Sequence, residues 1–278
     1  MERLPGRYVV GLACEGRVRV MAAVMQGPAD ELRERHGLGG VAARLGAEGL
    51  VAATLLSAHI KGEERMTVEV RSEWPAFSFL ADIDAVGKVR ARFSPTRTEM
   101  SLSYRGVLAA TKSLGQQVLY RGVSEVKEER FEAALLRFLT TSQQVDARVR
   151  IESEVASDGM VTFASGLLVE RLPDMGAEEF AARFDGPLKS DFKALMNHFA
   201  FGELAGGRVE VLGAQDFRYQ CTCSADRVRS MLRSLGKTEL ETLLAEHGKA
   251  EITCHFCNER YEVPGPELRA MIDGLMEN

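Results

Sequence analysis

The chain has little of what marks most enzymes and nucleic-acid-binding proteins. Its 278 residues include one tryptophan, five histidines and five cysteines, and aromatic residues make up 7%. We find no glycine-rich phosphate loop and no credible serine, histidine and aspartate set, so the sequence indicates no enzyme of these classes. The formal net charge is -5. General nucleic-acid binding usually leaves a basic footprint, so this acidic balance argues against it.

Long apolar runs are also missing. No stretch of about 18 consecutive apolar residues occurs, and we therefore predict no transmembrane segment. The N-terminal residues lead into short apolar runs that Cys14, Glu15 and Arg17 interrupt, which is not the pattern of a secretory signal. We expect a cytoplasmic protein, in which cysteines serve in metal binding or redox sensing rather than in permanent disulfides.

Four of the five cysteines lie close together in the last quarter of the chain. They form two pairs, Cys221-Thr222-Cys223 and Cys254-His255-Phe256-Cys257, and thirty residues separate the pairs. Two such pairs supply the four ligands of a closed tetrahedral zinc site, with Zn–S bonds of about 2.3 Å. The spacing predicts one Zn²⁺ ion per chain in the reduced protein, bound by Cys221, Cys223, Cys254 and Cys257.

The sequence leaves two roles open for this site. A purely structural zinc site is the commoner outcome of such spacing. A redox switch is favoured by the segment Phe217–Cys223, which alternates like a strand. Residues two apart in a strand have Cα atoms about 6.6 Å apart, near the upper limit for a disulfide. Joining Cys221 to Cys223 would then bend the strand and destroy the metal site.

Other residues are weaker candidates for this chemistry. His247 and His255 are alternative ligands in place of one thiolate. Cys14 stands alone in an apolar N-terminal segment, and we interpret it as a small packed residue. The Cys254 and Cys257 pair also has the spacing of a disulfide-exchange motif, but such motifs usually open a helix. A strand-like segment follows here, which disfavours an oxidoreductase.

Residues 1–173 are predicted to form one mixed α/β domain. Alternating apolar residues predict strands at 66–70, 100–104, 145–155 and 160–169. The helix predicted at 41–60 is apolar nearly all round, so we expect it to lie buried between sheet layers. The fold class is therefore α+β, with an N-terminal core of stacked sheets and helices.

A helical linker at 174–216 and a small zinc-binding domain at 217–278 are predicted to follow this core. The linker has an amphipathic pattern with aromatic and aliphatic residues on one face. Packed on the core, this face is hidden; released from it, the face offers an apolar surface to other proteins. The residues of this candidate client surface are Phe180, Phe184, Leu188, Phe192, Leu195, Met196 and Phe199.

Taken together, these motifs resemble the 33 kDa heat-shock protein family, the redox-regulated holdase chaperones of bacteria. The cysteine pattern matches that family's zinc switch. Three N-terminal stretches also resemble it, namely Gly87–Arg90, Tyr120–Val123 and Ala164–Pro173. Departures are Gln143 in the family's Ser-Glu-Gln, Ser165 in its Gly-Gly, and Glu170 where glutamine is usual.

The resemblance implies an ATP-independent chaperone of the oxidative stress response rather than an enzyme. The reduced protein would bind zinc, remain inactive and be monomeric. Oxidation would form the disulfides Cys221–Cys223 and Cys254–Cys257, release zinc and unfold the linker. The active homodimer would bind unfolded client proteins, and neither nucleic acid nor membranes. The alternative is an adaptor or nucleic-acid-binding protein with a structural zinc module.

Overall fold

Most of the alternating apolar segments become strands of one large sheet in the computed structural model, which describes residues 5–95, 100–189, 191–200, 203–204 and 207–275. For residues 95, 187, 197–200 and 203 only the backbone is described. The chain divides into two units, Met1–Gln220 and Cys221–Asn278.

The elements have the following bounds. The strands are β1 (Gly6–Ala13), β2 (Val18–Val24), β3 (Glu64–Trp74), β4 (Ala76–Asp84), β5 (Lys88–Pro95), β6 (Tyr104–Leu114), β7 (Gln117–Glu129), β8 (Ala147–Val155), β9 (Val161–Arg171), β10 (Glu203–Leu204), β11 (Gly207–Arg208), β12 (Glu210–Tyr219), β13 (Lys249–Thr253) and β14 (Arg260–Pro264). The helices are α1 (Gln26–His36), α2 (Gly40–Leu56), α3 (Phe131–Thr141), α4 (Ala177–Phe184), α5 (Phe192–Ala200), α6 (Ala225–Leu235), α7 (Lys237–His247) and α8 (Gly265–Gly274).

The sheet of the first unit contains ten strands in the order β7-β6-β3-β4-β5-β12-β1-β2-β9-β8. β12 pairs parallel with β5 and antiparallel with β1. α2 contacts β2, β8 and β9 from one end of the sheet and β3, β4 and β5 from the other. The sheet therefore curls around α2, which confirms the predicted α+β fold. The layers on the two sides of the helix belong to one curled sheet.

Among the described helices, α2 together with the turn after it is the one that could cross a membrane, judged by its length and apolar composition alone. Most of this stretch, Gly40–His59, is buried inside the first unit. Helix burial on all sides explains an apolar composition without a lipid environment. We therefore interpret α2 as the core helix of the fold.

The opposite face of β2 and β9 is covered by α4, a 3₁₀ turn at Pro187–Lys189, and α5. Side chains alternate along a strand, so Val18 and Val20 face this layer whereas Met21 faces α2. Both faces of β2 are thus buried. This second apolar cluster contains Ala13, Val18, Val20, Ala22, Leu167, Val169, Met175, Phe180, Phe184, Leu188, Phe192, Leu195, Leu204 and Val209.

Two predicted strand segments end or begin elsewhere than expected. Residues 100–103 precede β6, and the Ser103 N–H donates to Ser101 Oγ, a local bond that replaces strand pairing. The strand predicted at Phe217–Cys223 ends at Tyr219. Beyond it, Cys221 and Cys223 lie in irregular backbone. The first part of β12 falls within the predicted linker 174–216, and the three domain limits stay predictions.

Each of the three resembling N-terminal stretches contains a glycine that a larger residue cannot replace without strain, and two of these glycines lie where elements approach each other closely. Gly87 has φ +88°, and a Cβ there would lie 2.0 Å from the Asp216 carbonyl oxygen of β12. A Cβ at Gly166 would lie 2.4 Å from Val51 Cγ1 of α2. These glycines allow β12 to approach the β4–β5 turn and α2 to approach β9.

Two buried glutamates of the first unit each have a basic partner. Glu48 on α2 accepts hydrogen bonds from Arg130 Nη2 at 2.6 Å and from Ser153 Oγ at 3.0 Å. Burial raises the pKa of the Glu48 carboxyl, although Arg130 opposes the shift. Glu170, the departure from the usual glutamine, lies 3.2 Å from Arg19 Nη1. The carboxylate at 170 is therefore accommodated by an ion pair.

The second unit has a small apolar core. Three helices, α6 to α8, and the hairpin β13–β14 surround it. Its buried apolar residues are Val228, Leu232, Leu240, Ala250, Val263, Leu268, Met271 and Ile272. Eight such side chains give limited hydrophobic stabilisation, because each contributes roughly 1.5–3 kcal/mol before the entropy of ordering the chain is subtracted.

We expect Gly166→Ala to destabilise the first unit by about 1–3 kcal/mol, since the added Cβ overlaps Val51 and forces α2 away from β9. Gly213→Ala is the matched control in another strand, where the nearest atom to the added Cβ, Val10 Cγ1, is 3.8 Å away. Urea unfolding followed by circular dichroism measures both. Equal midpoints for the two variants would show that the close approach at Gly166 is unimportant.

Candidate functional site

Two segments of the second unit bring the four cysteines together. Cys221 and Cys223 lie between the end of β12 and the start of α6. Ser224 caps α6, because its Oγ accepts a hydrogen bond from the Arg227 N–H at 3.2 Å. This cap fixes where the chain turns into the helix after Cys223.

Cys254 and Cys257 lie in the tight turn of the β13–β14 hairpin. The Cys254 N–H donates to the Glu259 carbonyl at 2.9 Å, and the Asn258 N–H donates to the Cys254 carbonyl at 2.8 Å. Asn258 adopts the left-handed region with φ +58°, which asparagine tolerates better than most residues. The turn therefore holds both thiols on a closed loop of backbone.

The four sulfur atoms form one cluster, in which all lie within 4.8 Å of one another. Cys221 Sγ is 3.6 Å from Cys254 Sγ, and Cys223 Sγ is 3.2 Å from Cys257 Sγ. Four sulfurs around one zinc ion are about 3.8 Å apart, as Zn–S bonds of about 2.3 Å in tetrahedral directions require. The donor set and its spacing fit a zinc ion.

Burial and hydrogen bonding affect the four thiols differently. Cys257 is buried and the other three are half-buried. Burial raises the pKa of Cys257 and of Cys221. Burial also opposes ionisation of Cys254, but the N–H groups of Cys257 and Phe256 outweigh it and lower its pKa to about 7. Cys254 therefore ionises more readily near neutral pH than Cys221 or Cys257.

A tyrosine contacts the cluster, and the sequence analysis missed it. Tyr261 on β14 donates its hydroxyl hydrogen to Cys223 Sγ over 3.1 Å. This bond to Cys223 raises the pKa of the Tyr261 phenol. The signal available in the sequence for Tyr261 was the strand-like alternation after Cys257. That alternation does not show that Tyr261 contacts Cys223, 38 positions earlier in the chain.

The cluster contains neither of the histidines considered as alternative ligands. His255 lies in the turn between Cys254 and Cys257, and His247 ends α7 with Nε2 3.8 Å from Glu246. Among the described residues, the group able to hold a metal ion consists of the four cysteines. Cys14 belongs to the first unit, where it packs against the second apolar cluster. That the four cysteines bind the metal stays a prediction.

The residues of the candidate client surface lie against β2 and β9. Phe180, Phe184 and Phe192 are almost completely buried, at 0%, 0% and 2% exposure. Leu188 and Leu195 are also buried, and Met196 packs at the edge of the same cluster. The Phe199 side chain lies outside the described residues. In this arrangement the surface is hidden, and its role in client binding stays a prediction.

Charged residues hold the same segment at its rim. Arg17 makes a two-pronged ion pair with Glu179 of α4, at 2.8 and 3.0 Å. Arg148 Nε lies 2.6 Å from Asp185, and the same guanidinium stacks 5.0 Å from the centre of the Phe180 ring. These contacts are partly exposed, so each stabilises α4 less than the buried phenylalanines do.

Comparison with known proteins places the chain in one family. The sequence model of the family described as "Hsp33 protein" matches residues 7–264. Among characterised relatives, the "33 kDa chaperonin" of Bacillus velezensis is 28% identical over 283 residues, covering 95% of this chain and 97% of the relative. The protein of the same name from Bacillus subtilis matches to the same extent.

A solved structure has the same fold. The crystal structure of the 33 kDa chaperonin (heat shock protein 33 homologue) from Thermotoga maritima superposes with a TM-score of 0.84. The match covers 99% of each chain at 23% identity. The resemblance inferred from the sequence is confirmed by the family match, and the fold by this structural likeness.

We expect Cys257→Ser to weaken zinc binding by more than about 100-fold. Loss of a residue that only hydrogen-bonds to a ligand weakens binding by about 10–100-fold, and loss of the ligand itself weakens it further. Cys14→Ser is the matched control, since Cys14 lies in the first unit. Zinc content and competition with a chromophoric chelator measure both variants. Loss of zinc from both variants, or from neither, would contradict the assignment of the four-cysteine site.

Proposed function

The chain belongs to the Hsp33 protein family of chaperones, and we propose that it is a redox-regulated, ATP-independent holdase. In the proposal the reduced protein holds one zinc ion on Cys221, Cys223, Cys254 and Cys257 and is inactive. The observation that carries it is the cluster of four sulfurs within 4.8 Å. Such a site is complete with protein ligands and leaves no open position for substrate, as expected of a structural or sensing site.

The reduced state is proposed to depend on the charge of the cluster. A bound zinc ion would supply two positive charges that keep four adjacent thiolates ionised. Backbone N–H groups and Tyr261 direct further partial positive charge at the sulfurs. Because the described residues of the second unit form a core of eight buried apolar side chains, metal binding supplies much of its folding free energy, on the order of 10–16 kcal/mol in small zinc modules.

Oxidation is proposed to remove these ligands in pairs. Two thiolates of one pair and one hydrogen peroxide give one disulfide and two hydroxide ions, so the sulfurs lose two electrons and the O–O bond breaks. The resulting bonds would be Cys221–Cys223 and Cys254–Cys257. Disulfide sulfurs carry no charge and hold zinc poorly, so the second unit loses the interaction that stabilises it.

Release of the linker is the proposed second step. β12 joins the linker to Cys221, and residues 218–220 are held by Arg218 N–H to the Gly87 carbonyl and Gln220 N–H to the Val89 carbonyl, both 2.8 Å. Unfolding directly after Gln220 frees the end of this strand. Departure of α4 and α5 would then expose the phenylalanines of these helices and also the outer face of β2 and β9. Together they would offer an extended apolar surface to unfolded clients.

The proposal includes where and with what the protein acts. Its partners are unfolded or partly unfolded proteins, which expose apolar segments that a folded protein hides. The active form is proposed to be a homodimer in the cytoplasm, where thiols stay reduced until oxidant appears. The acidic charge supports a role that does not involve nucleic acid, and we propose no membrane partner.

Treatment of the zinc-loaded protein with hydrogen peroxide at mildly elevated temperature is expected to release zinc, form both disulfides and suppress aggregation of a thermally unfolded client. A colorimetric chelator, peptide mass mapping and light scattering measure the three effects on one sample. Zinc release without suppression of aggregation would exclude the holdase. Retention of zinc under oxidant would favour the structural zinc module instead.

We expect Phe184→Ala to weaken packing of α4 by about 3–5 kcal/mol, because this ring is fully buried between the helix and the sheet. The reduced, zinc-loaded variant should then suppress client aggregation under mild heat without oxidant. Glu178→Ala, at an exposed position of the same helix, is the control and should stay inactive. A reduced Phe184→Ala protein that stays folded, shows a protease-sensitive linker and lacks activity would rule out this client surface.

A further inference from the structure

Each sulfur of the cluster receives a hydrogen bond, but the donors are of two kinds. Three thiols receive backbone N–H groups, which substitution of a side chain leaves in place. The donors are Cys223 to Cys221, Phe256 and Cys257 to Cys254, and Glu259 to Cys257. Cys223 Sγ receives the hydroxyl group of Tyr261. This donor is a side-chain group, so a single substitution removes it.

The hairpin fixes the position of Tyr261. On β14 it lies opposite Ile252 of β13 in the strand register, and its ring packs at the edge of the apolar core of the second unit. The hydroxyl oxygen lies 3.1 Å from Cys223 Sγ, which is itself 3.2 Å from Cys257 Sγ. One side chain thus ties the hairpin that carries Cys254 and Cys257 to the segment that carries Cys223.

We propose that Tyr261 is a positioning residue of the switch, whose hydroxyl holds Cys223 Sγ in the ligand geometry and lowers the reactivity of this sulfur. The inference rests on the proposed zinc site and adds a side chain to it. Tyr261 does not bind the metal and does not take part in electron transfer. Its effect is exerted through the sulfur to which it donates.

Two consequences follow from a hydrogen bond to a thiolate. The bond holds Cys223 Sγ in place beside Cys257 Sγ, and outer partners of this kind affect metal affinity by about 10–100-fold. It also occupies a lone pair of the sulfur and withdraws electron density from it, which makes the sulfur a weaker nucleophile. Cys223 therefore attacks a peroxide more slowly while Tyr261 donates to it. In that oxidation the thiolates of Cys221 and Cys223 become one disulfide, and the peroxide becomes two hydroxide ions.

Tyr261→Phe tests the inference, because it keeps the ring in the apolar core and removes only the hydroxyl. We expect the zinc dissociation constant to rise about tenfold, measured by chelator competition on the full chain. We also expect faster alkylation of Cys223 relative to Cys254 in the zinc-loaded protein. Residue-resolved mass spectrometry at early reaction times measures this ratio before loss of one ligand releases the others.

Tyr120→Phe is the matched control. Tyr120 is a half-buried tyrosine of the first unit whose hydroxyl lies 3.0 Å from Ser142 Oγ. Its removal should change neither zinc affinity nor the alkylation ratio. Urea unfolding of both variants separates a general loss of stability from an effect on the cluster, since a purely structural role of the hydroxyl would leave the ratio of Cys223 to Cys254 alkylation unchanged.

The proposed zinc switch and the role of Tyr261 can be overturned separately. Wild-type protein that holds no zinc would overturn the proposed zinc switch, and the role of Tyr261 with it. Wild-type protein with one zinc per chain and a Tyr261→Phe variant of equal affinity and equal alkylation ratio would overturn the role of Tyr261 alone. A rise in both quantities in Tyr261→Phe, and in neither for Tyr120→Phe, supports it.

Discussion

Electrostatic repulsion within the sulfur cluster is the constraint on which the rest of the structure depends. Four sulfurs within 4.8 Å cannot all carry a negative charge unless a cation or hydrogen-bond donors compensate them. The cluster therefore has few stable states: protonated, metal-bound or oxidised. In the proposed function, the choice among these states decides how well the second unit is folded, because eight apolar side chains form its core within the described residues.

In the proposed function, this choice acts on the outer face of the sheet in the first unit. β2 and β9 are apolar on both faces, with α2 on one side and the segment of α4 and α5 on the other. A strand buried on both faces is stable only while both covers are in place. Within the described residues, the outer cover is the thinner one, because it consists of two short helices. The phenylalanines of these helices are buried, and partly exposed ion pairs hold the segment at its rim.

The sequence was sufficient for features that depend on local pattern. The cysteine spacing and the amphipathic stripe through Phe180 and Phe184 follow from one segment at a time. Features that depend on distant pairing were not predictable in this way. The alternation at Phe217–Cys223 suggested a strand through both thiols, but β12 ends at Tyr219, where the last sheet partners are.

Long-range contacts account for the remaining differences. The closure of one sheet around α2 requires β12 to pair with β1 and β5, strands more than about 100 residues earlier in the chain. The contact of Tyr261 with Cys223 spans 38 residues. Neither pairing leaves a periodic signal in the sequence, because periodicity reports which face of an element is buried and not what covers it.

The position of β12 has a consequence for how the chain folds during synthesis. This strand lies in the middle of the sheet, between two groups of strands that are all made before it. While the ribosome is still translating residue 200, β5 and β1 lack the neighbour that joins them, so the two groups have open edges that face each other. Closing such a distant pairing is entropically unfavourable and slow. The nascent protein can therefore complete its largest sheet only once β12 has emerged, and Cys221 and Cys223 follow directly behind that strand.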